Sequence, residues 1–429
     1  MVFAVKDKYL LLNGLSGAVS LVDKQTGEKF LEGEGSEELN PFFTHLSPEE
    51  EAEKAQAFCA FLRKKASQCA DSTIAVTYDC NLRCPYCYEI WVKNPQMMNM
   101  VMDEYKVDKA YAAMEELNAQ CPGEKLVTLT GGEPLMRKNA DIVQYILRKG
   151  DDLGYKFTLF TNGVELHSFL SEISSVNTEF VQITLDGPQP IHDQRRISRS
   201  GKGTFNAIVR NIEKAREIGL TLLIRTNSDP DVLSRIGELA HFYRERGWVD
   251  DPHIHFAMIH VCGQIMNLED YERLLAVYRQ VLDLAAHEDF RFFEASPYAK
   301  LGSLYTEHPR FWPSFWNCAA VVNRYVFDPF GEVYPCRAML GWKEHRIGVY
   351  IPELSFEEAV EKWRNRTIFA LDMCRECDMA LLCGGGCGYQ SLLVNKDLYT
   401  PACFDVKQIV APYLEYMHER RNAHEPAQG

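Results

Sequence analysis

Ten of the fourteen cysteines in this 429-residue chain fall into two tight spacing patterns. No other feature limits the fold as strongly, because each pattern demands a scaffold that brings thiols together. The first is Asp79-Cys80-Asn81-Leu82-Arg83-Cys84-Pro85-Tyr86-Cys87-Tyr88, a C-x3-C-x2-C loop that directly follows a strand-like run. Three thiolates on one short loop can hold three irons of a 4Fe–4S cluster and leave the fourth open. An open metal position suits chemistry, whereas a closed site is structural. The competing reading, a zinc knuckle, wants a fourth Cys or His close by, and none follows in the next few residues. The second pattern runs Cys318, Gly331-x4-Cys336, Cys374-x2-Cys377-x5-Cys383-x3-Cys387 and Cys403. Seven thiols exceed one four-ligand site. Spacing alone leaves open two zinc sites, or one with spare thiols.

The rest of the composition is that of a globular protein, 46% hydrophobic and 25% charged. A formal charge of −14 argues against binding a phosphate backbone, so no nucleic-acid partner is expected. The N-terminus has charges inside its apolar stretch and no small-residue cleavage site, unlike a signal peptide. No apolar run is long enough to span a bilayer, so no membrane partner is expected and the expected location is cytoplasmic. Thiols stay reduced there, which favours metal ligation over disulfides. Of the four remaining cysteines, Cys59 lies on an apolar helical stretch and reads as core. Of Cys69, Cys121 and Cys262, only Cys262, just past the last strand, is placed to be considered as a ligand, and its leading reading is a structural thiol.

Four units are expected: 1–70, 71–260, 261–310 and 311–429. In the first, residues 8–12 and 18–23 alternate as a hairpin, and 48–65 reads as a helix with Pro48 in its first turn. In the second, strand candidates at 73–78, 126–130, 157–161, 180–185, 220–226 and 253–259 alternate with helical stretches at 102–118, 140–149, 204–217 and 232–246. Such alternation implies an α/β fold, a parallel sheet of βα units forming a partial (β/α)6 TIM-like barrel. Ligands would then gather at the C-terminal strand ends. Residues 269–288 read as an amphipathic connecting helix. Beyond residue 311 the chain is rich in Gly, Pro, Cys and aromatics, with little periodicity. It is expected to lack a large core and to depend on metal for order. The end, from about His418, is polar and is expected to fray.

Several strand ends carry polar or glycine signals: Gly131-Gly132-Glu133-Pro134, Thr161-Asn162-Gly163, Thr184-Leu185-Asp186-Gly187 with His192-Asp193 and Arg195-Arg196 beyond, and Arg225-Thr226-Asn227. Each alone is an ordinary turn signal; together they mark one rim. The cysteine loop, the Gly131–Pro134 run and the strand order resemble the radical S-adenosylmethionine (SAM) superfamily over roughly residues 73–260. The resemblance implies a cluster on Cys80, Cys84 and Cys87 whose open iron chelates the amino and carboxylate groups of the cofactor's methionine. It implies that Gly131, Gly132 and Glu133 contact the amino group and that Tyr86 lies near the adenine. It also implies that Asn162, Thr184 and Asp186 contact the carboxylate or ribose; many relatives have Ser at the position of Thr184. The implied chemistry is reductive cleavage to a deoxyadenosyl radical that abstracts hydrogen, with flavodoxin or ferredoxin as electron donor.

The C-terminal cysteines resemble the seven-cysteine SPASM extension. That implies two auxiliary 4Fe–4S clusters, three in all, with Cys318, Cys336 and Cys387 on one and Cys374, Cys377, Cys383 and Cys403 on the other. No cysteine stands among residues 311–317, so the first auxiliary cluster is expected to have either an open iron, which could bind a substrate thiol or carry away an electron, or a ligand from elsewhere. SPASM relatives modify peptides. The leading expectation is a maturase of ribosomally made peptides (RiPPs) that forms a thioether or carbon–carbon cross-link. Its partner would be a precursor peptide whose leader docks on a winged-helix-like N-terminal unit; a plain capping hairpin is the other reading of that unit. The alternative is an anaerobic sulfatase maturase making formylglycine. In that group an acidic base usually follows the cysteine of the G-x4-C motif, where this chain has Arg337.

Overall fold

The computed structural model describes residues 1–14, 16–34, 39, 42, 46–87, 89, 95–260, 268–294, 311–403 and 407–422. Three antiparallel strands open the chain: β1 (Val2–Val5), β2 (Lys8–Leu12) and β3 (Val19–Asp23), in that order across the sheet. The expected hairpin is therefore widened by β1. Along β2 the two-residue period divides the apolar side chains. Leu10 and Leu12 join the main core, while Leu11 packs with Val22 and Leu39 on the opposite face. Asp23 caps a helix at Lys24–Leu31 by accepting from the Thr26 amide. The helix Pro48–Ala66 starts at a reciprocal capping box between Ser47 and Glu50, with Pro at its first position. Phe3 and Val5 also belong to the main core, so one face of this unit shares the core of the barrel while the other keeps a small cluster of its own.

Six parallel strands follow in chain order: β4 (Asp71–Ala75), β5 (Lys125–Thr130), β6 (Tyr155–Thr161), β7 (Thr178–Thr184), β8 (Leu222–Ser228) and β9 (Ile254–His260). The helices between them include Glu104–Leu117, Ala140–Asp152 and Phe205–Glu217. The long helix expected at 232–246 is split into Pro230–Ser234 and Ile236–Glu245, because Arg235, at φ −125°, leaves helical geometry and ends one piece while starting the next. A connecting helix at Leu268–Ala286 leads to β10 (Phe293–Glu294), which pairs in parallel with β9.

The sheet continues past β4 on its other side. β11 (Arg324–Phe327) lies parallel to β4, and β12 (Glu332–Tyr334), β13 (Gly348–Val349) and β14 (Ser355–Phe356) extend it antiparallel. The expectation that the chain beyond 311 lacks a substantial core is thus corrected. Val326, Phe327, Val333 and Tyr334 are fully buried in the main core. Polar contacts fasten the junction. The Tyr78 hydroxyl donates to Asp328 at 2.8 Å, Arg324 pairs with Asp71 at 2.6 Å, and the Asn323 amide reaches the carbonyls of Ala66 and Cys69. Among the described residues the sheet's end strands, β10 and β14, do not pair, so the barrel is open.

A second correction concerns thiols. Cys69 and Cys121 form a disulfide, with Cα atoms 4.5 Å apart. Cys69 precedes β4 and Cys121 precedes β5, and the parallel pairing of those strands brings their entry points together. Cys59 is core as expected, packed with Phe315, Ile368 and Ala380, and burial pushes its thiol up to about 11. Cys262 lies outside the described residues. Among the described residues no helix is long and apolar enough to cross a membrane.

Candidate functional site

The cysteine loop is gripped from both sides. Toward the sheet, the Thr77 hydroxyl accepts from the Asp79 amide and donates to the Met100 carbonyl. The Asp79 carboxylate accepts from the Cys80 amide at 3.0 Å and forms ion pairs with Lys138 and Arg199. Those cations hold it below its ordinary range despite its burial. Toward the residue 197–199 segment, the Arg83 amide donates to the Ile197 carbonyl and the Arg199 amide to the Asn81 carbonyl. Within the loop, the Leu82 amide donates to Cys80 Sγ at 3.4 Å, and Cys87 N donates to the Cys84 carbonyl. Burial, with Glu133 nearby, pushes the Cys80 thiol well up, so its thiolate needs a metal or another cation beside it.

Gly131 and Gly132 are explained by close approach. A Cβ on Gly131 would stand 2.3 Å from the Thr77 carbonyl oxygen, and one on Gly132 would stand 2.2 Å from that of Asp79. The Gly132 and Glu133 amides donate to those same oxygens at 2.8 and 2.7 Å. The exit of β5 therefore lies directly against the backbone of the cysteine loop. Glu133 is buried at the centre. One carboxylate oxygen accepts from the Thr161 hydroxyl at 2.6 Å and the Leu135 amide at 2.9 Å; the other accepts from the Asn162 amide at 2.6 Å. Burial outweighs these donors and raises Glu133 to about 7. The Asn162 amide group donates to Asn81 Oδ1 at 2.7 Å and comes within 3.9 Å of Cys80 Sγ.

A second group forms around Tyr86. Its hydroxyl bonds to Asp186 Oδ2 and accepts from Arg196 Nη1 at 2.8 Å, while the Arg195 guanidinium stacks over its ring at 4.9 Å. Asn227 fixes the other Asp186 oxygen with its backbone and side-chain amides. Thr184 is the buried last residue of β7. His192 and Asp193 hold the rim in shape: His192 Nδ1 accepts from the Asp186 amide, and Asp193 accepts from the Thr204 and Phe205 amides. Burial and the two arginines drive the His192 pKa well down, so the ring is neutral.

The structure thus brings Cys80, Gly131, Gly132, Glu133 and Asn162 into one group, and Tyr86 and Asp186 into the next. Two residues were not singled out from sequence as contacts. Glu89 carries a buried carboxyl oxygen without a hydrogen-bond partner, and burial with Glu133 nearby pushes it up to about 8. Arg196, 8% exposed, has a buried Nε without a partner. Two buried carboxyls and a buried guanidinium with spare bonding capacity suit a ligand carrying both a cation and a carboxylate.

The C-terminal thiols sort into two groups. Cys318 and Cys336 are both raised by Cys387, and Cys336 also by Cys318. Cys374 is raised by Cys383, Cys377 and Cys403, and Cys383 by Cys403 and Cys377. Burial is the largest cause in each case. Among the described residues no three side chains close on one point as the ligands of a single ion would. A cuboidal cluster, with its irons at separate corners, takes thiols set further apart.

Residues 74–242 match the radical SAM superfamily. The cysteine-type anaerobic sulfatase-maturating enzyme of Clostridium novyi (strain NT) is 25% identical over 340 residues, covering 72% of this chain and 85% of that one. Among solved structures, native anSMEcpe with bound AdoMet aligns at a TM-score of 0.62 with 18% identity, covering 82% of this chain and 97% of that chain. Streptococcus suis SuiB bound to its precursor peptide SuiA aligns at 0.58 with 16% identity, covering 94% of this chain and 99% of that chain. Together, the loop thiols, the glycine-lined approach of β5 and this match show that residues 74–242 form a radical SAM domain, the part of an enzyme that uses S-adenosylmethionine and a 4Fe–4S cluster.

Proposed function

We propose that the chain is a peptide maturase that forms a side-chain cross-link, a thioether or a carbon–carbon bond, in a ribosomally made precursor. When bound, the cluster and S-adenosylmethionine supply hydrogen-atom abstraction from an unactivated C–H bond. The chain's own residues hold and orient. Cys80, Cys84 and Cys87 ligate the cluster. Glu133 and Glu89 face the methionine ammonium, and Arg196 takes the carboxylate with its spare Nε. Tyr86, with Asp186 and Arg196 fixing its hydroxyl, and Thr184 line the adenosine side. Cys318, Cys336 and Cys387 hold one auxiliary cluster, and Cys374, Cys377, Cys383 and Cys403 the other. A flavodoxin or ferredoxin supplies the electron. Joining a substrate thiolate to a carbon radical releases one electron, and Cys318, Cys336 and Cys387 would hold the cluster able to take it up.

The observation that carries the peptide assignment is the N-terminal sheet. β3 has a neighbour on one side, β2, and among the described residues no strand on the other. An extended leader can add there as a further strand. The alignment with SuiB, whose structure holds a precursor peptide, covers 94% of the chain.

Sulfatase maturation is the second reading, favoured by the 25% identity to an enzyme of that name. Against it stands Arg337, a cation stacked 4.5 Å over Phe160 of β6 where that chemistry wants a base. Mass spectrometry decides after anaerobic turnover of the reconstituted enzyme with two substrates: the product of a short cysteine-bearing reading frame beside the gene, and a sulfatase-derived peptide. Loss of two hydrogens from the first, with fragmentation blocked between two residues, is expected. A hydrazide-reactive aldehyde on the second, with the first unchanged, overturns the proposal.

A further inference from the structure

Among the described residues Arg366 is the second largest fully buried side chain, 1% exposed, and its Nη1 and Cys374 Sγ each lie 3.8 Å from where a Cβ on Gly385 would stand. Its guanidinium spends nearly all its donors on backbone. Nε donates to the Leu398 carbonyl at 2.8 Å and Nη1 to the Gly386 carbonyl at 2.7 Å. Nη2 donates to the Gly385 carbonyl at 2.8 Å and to Ser391 Oγ at 3.0 Å. Among the described residues no carboxylate pairs with it. A buried cation without a counter-charge is strongly unfavourable. Burial pushes its pKa down, and the groups that oppose this are Cys387, Cys318, Cys374 and Cys383, two from each thiol group. Once deprotonated by iron, those thiols would be its counter-charges.

We infer that Arg366 is a positioning residue that couples the two thiol groups and raises the reduction potentials of the clusters they hold; this rests on reading both groups as cluster ligands. The lever is one peptide unit. Gly384, Gly385 and Gly386 have φ values of +69°, +81° and +68°, a run of left-handed backbone that other residues resist. This loop spans the gap between Cys383 and Cys387, one thiol from each group. The Gly386 amide belongs to the same peptide group as the Gly385 carbonyl that Arg366 holds. A guanidinium on the carbonyl end polarises the N–H end, making it a stronger donor toward a neighbouring ligand sulfur. Ser391 spreads the effect: its hydroxyl, held by Arg366, donates to the Cys387 carbonyl at 3.1 Å and accepts from the amide of Ala402, next to Cys403. Donors on ligand sulfurs and a nearby positive charge both favour the more negative, reduced cluster.

The test is an EPR-monitored redox titration of full-length, anaerobically reconstituted wild type, R366Q and R366K, each with iron and sulfide analysis. In R366Q both auxiliary midpoints are expected to become more negative by at least a tenfold change in the oxidised-to-reduced ratio, ~59 mV for a one-electron couple. The midpoint of the Cys80–Cys84–Cys87 cluster is expected to stay where it is. Lysine keeps the charge but cannot fork onto both glycine carbonyls, so R366K is expected to shift less. Should R366Q lose auxiliary iron, R366K decides. Wild-type auxiliary midpoints in a fully loaded R366Q, or in R366K where R366Q is not loaded, overturn the inference. So does an equal shift at the barrel cluster. Wild-type protein holding about four irons fails differently: it removes the assignment of the two thiol groups as cluster sites.

Discussion

Residues whose roles are local could be read from sequence. Cys80, Cys84 and Cys87 are recognisable because one loop supplies all three, and Gly131 and Gly132 because close backbone approach leaves no other residue type. Gly131 shows how firmly: at φ +135° and 2.3 Å from a carbonyl oxygen, a methyl group has nowhere to go. The G131A variant is expected to push the cysteine loop off β5, with strain of about 1–3 kcal/mol. Equilibrium dialysis should show at least tenfold weaker S-adenosylmethionine binding with the far-UV circular dichroism unchanged; wild-type affinity contradicts the packing argument. Arg196 was legible only as one of the polar signals on the rim, with no contact assigned to it, and Arg366 not at all. Arg196 acquires its meaning from a hydroxyl 110 residues away, and Arg366 from carbonyls brought together by a three-glycine turn. Charge and composition at those positions look like ordinary surface arginines.

Among elements, the six barrel strands fall within two or three residues of their expected bounds, because apolar runs punctuated by polar strand ends are a strong signal. The short strands β10 to β14 carry too few residues for periodicity to register. The disulfide between Cys69 and Cys121 depends on the register of β4 against β5, which spacing does not reveal. The β11–β12 hairpin makes a prediction of its own. Asp328 is buried there, accepting from Tyr78 and from the Phe330 and Glu332 amides, and burial raises it to about 7. Its carboxyl is therefore neutral in the fold where the unfolded chain would ionise it. The resulting stabilisation is full below about pH 4, the unfolded value, and is lost as pH rises through 7. Urea unfolding should show wild type losing stability from pH 5.5 to 8, and D328N losing less. An equal slope in the variant removes Asp328 as the cause. Y78F, which removes one donor from the buried carboxyl, should cost about 1–3 kcal/mol at pH 8.

Across the whole molecule, the two cysteine regions hold their thiols on different supports. One sits at the C-terminal ends of parallel strands; the other is organised by short turns around a buried arginine. They should load independently. Replacing Cys80, Cys84 and Cys87 together with alanine is expected to abolish deoxyadenosine formation and remove about a third of the iron, while auxiliary-cluster EPR signals persist. Continued deoxyadenosine formation on reduction would show that the radical cluster lies elsewhere. Sequence divided the chain into four units, and the shared core revises that division. β1 and β2 pack into the barrel, and β11 completes the sheet beside β4, so neither end is a free-standing module.

The pairing of β11 with β4 also dictates a timetable for the ribosome. Arg324 meets Asp71 across 253 residues of chain. At about 5–20 residues per second, synthesis of that intervening stretch takes roughly 13–50 s. Throughout that interval the first barrel strand has an unpaired edge, next to the loop that carries Cys80, Cys84 and Cys87. An unpaired strand edge invites aggregation, which makes this the period in which a nascent-chain chaperone has most to protect. The same gap leaves the cysteine loop approachable by cluster-delivery proteins before the C-terminal hairpin closes on Tyr78 at its base.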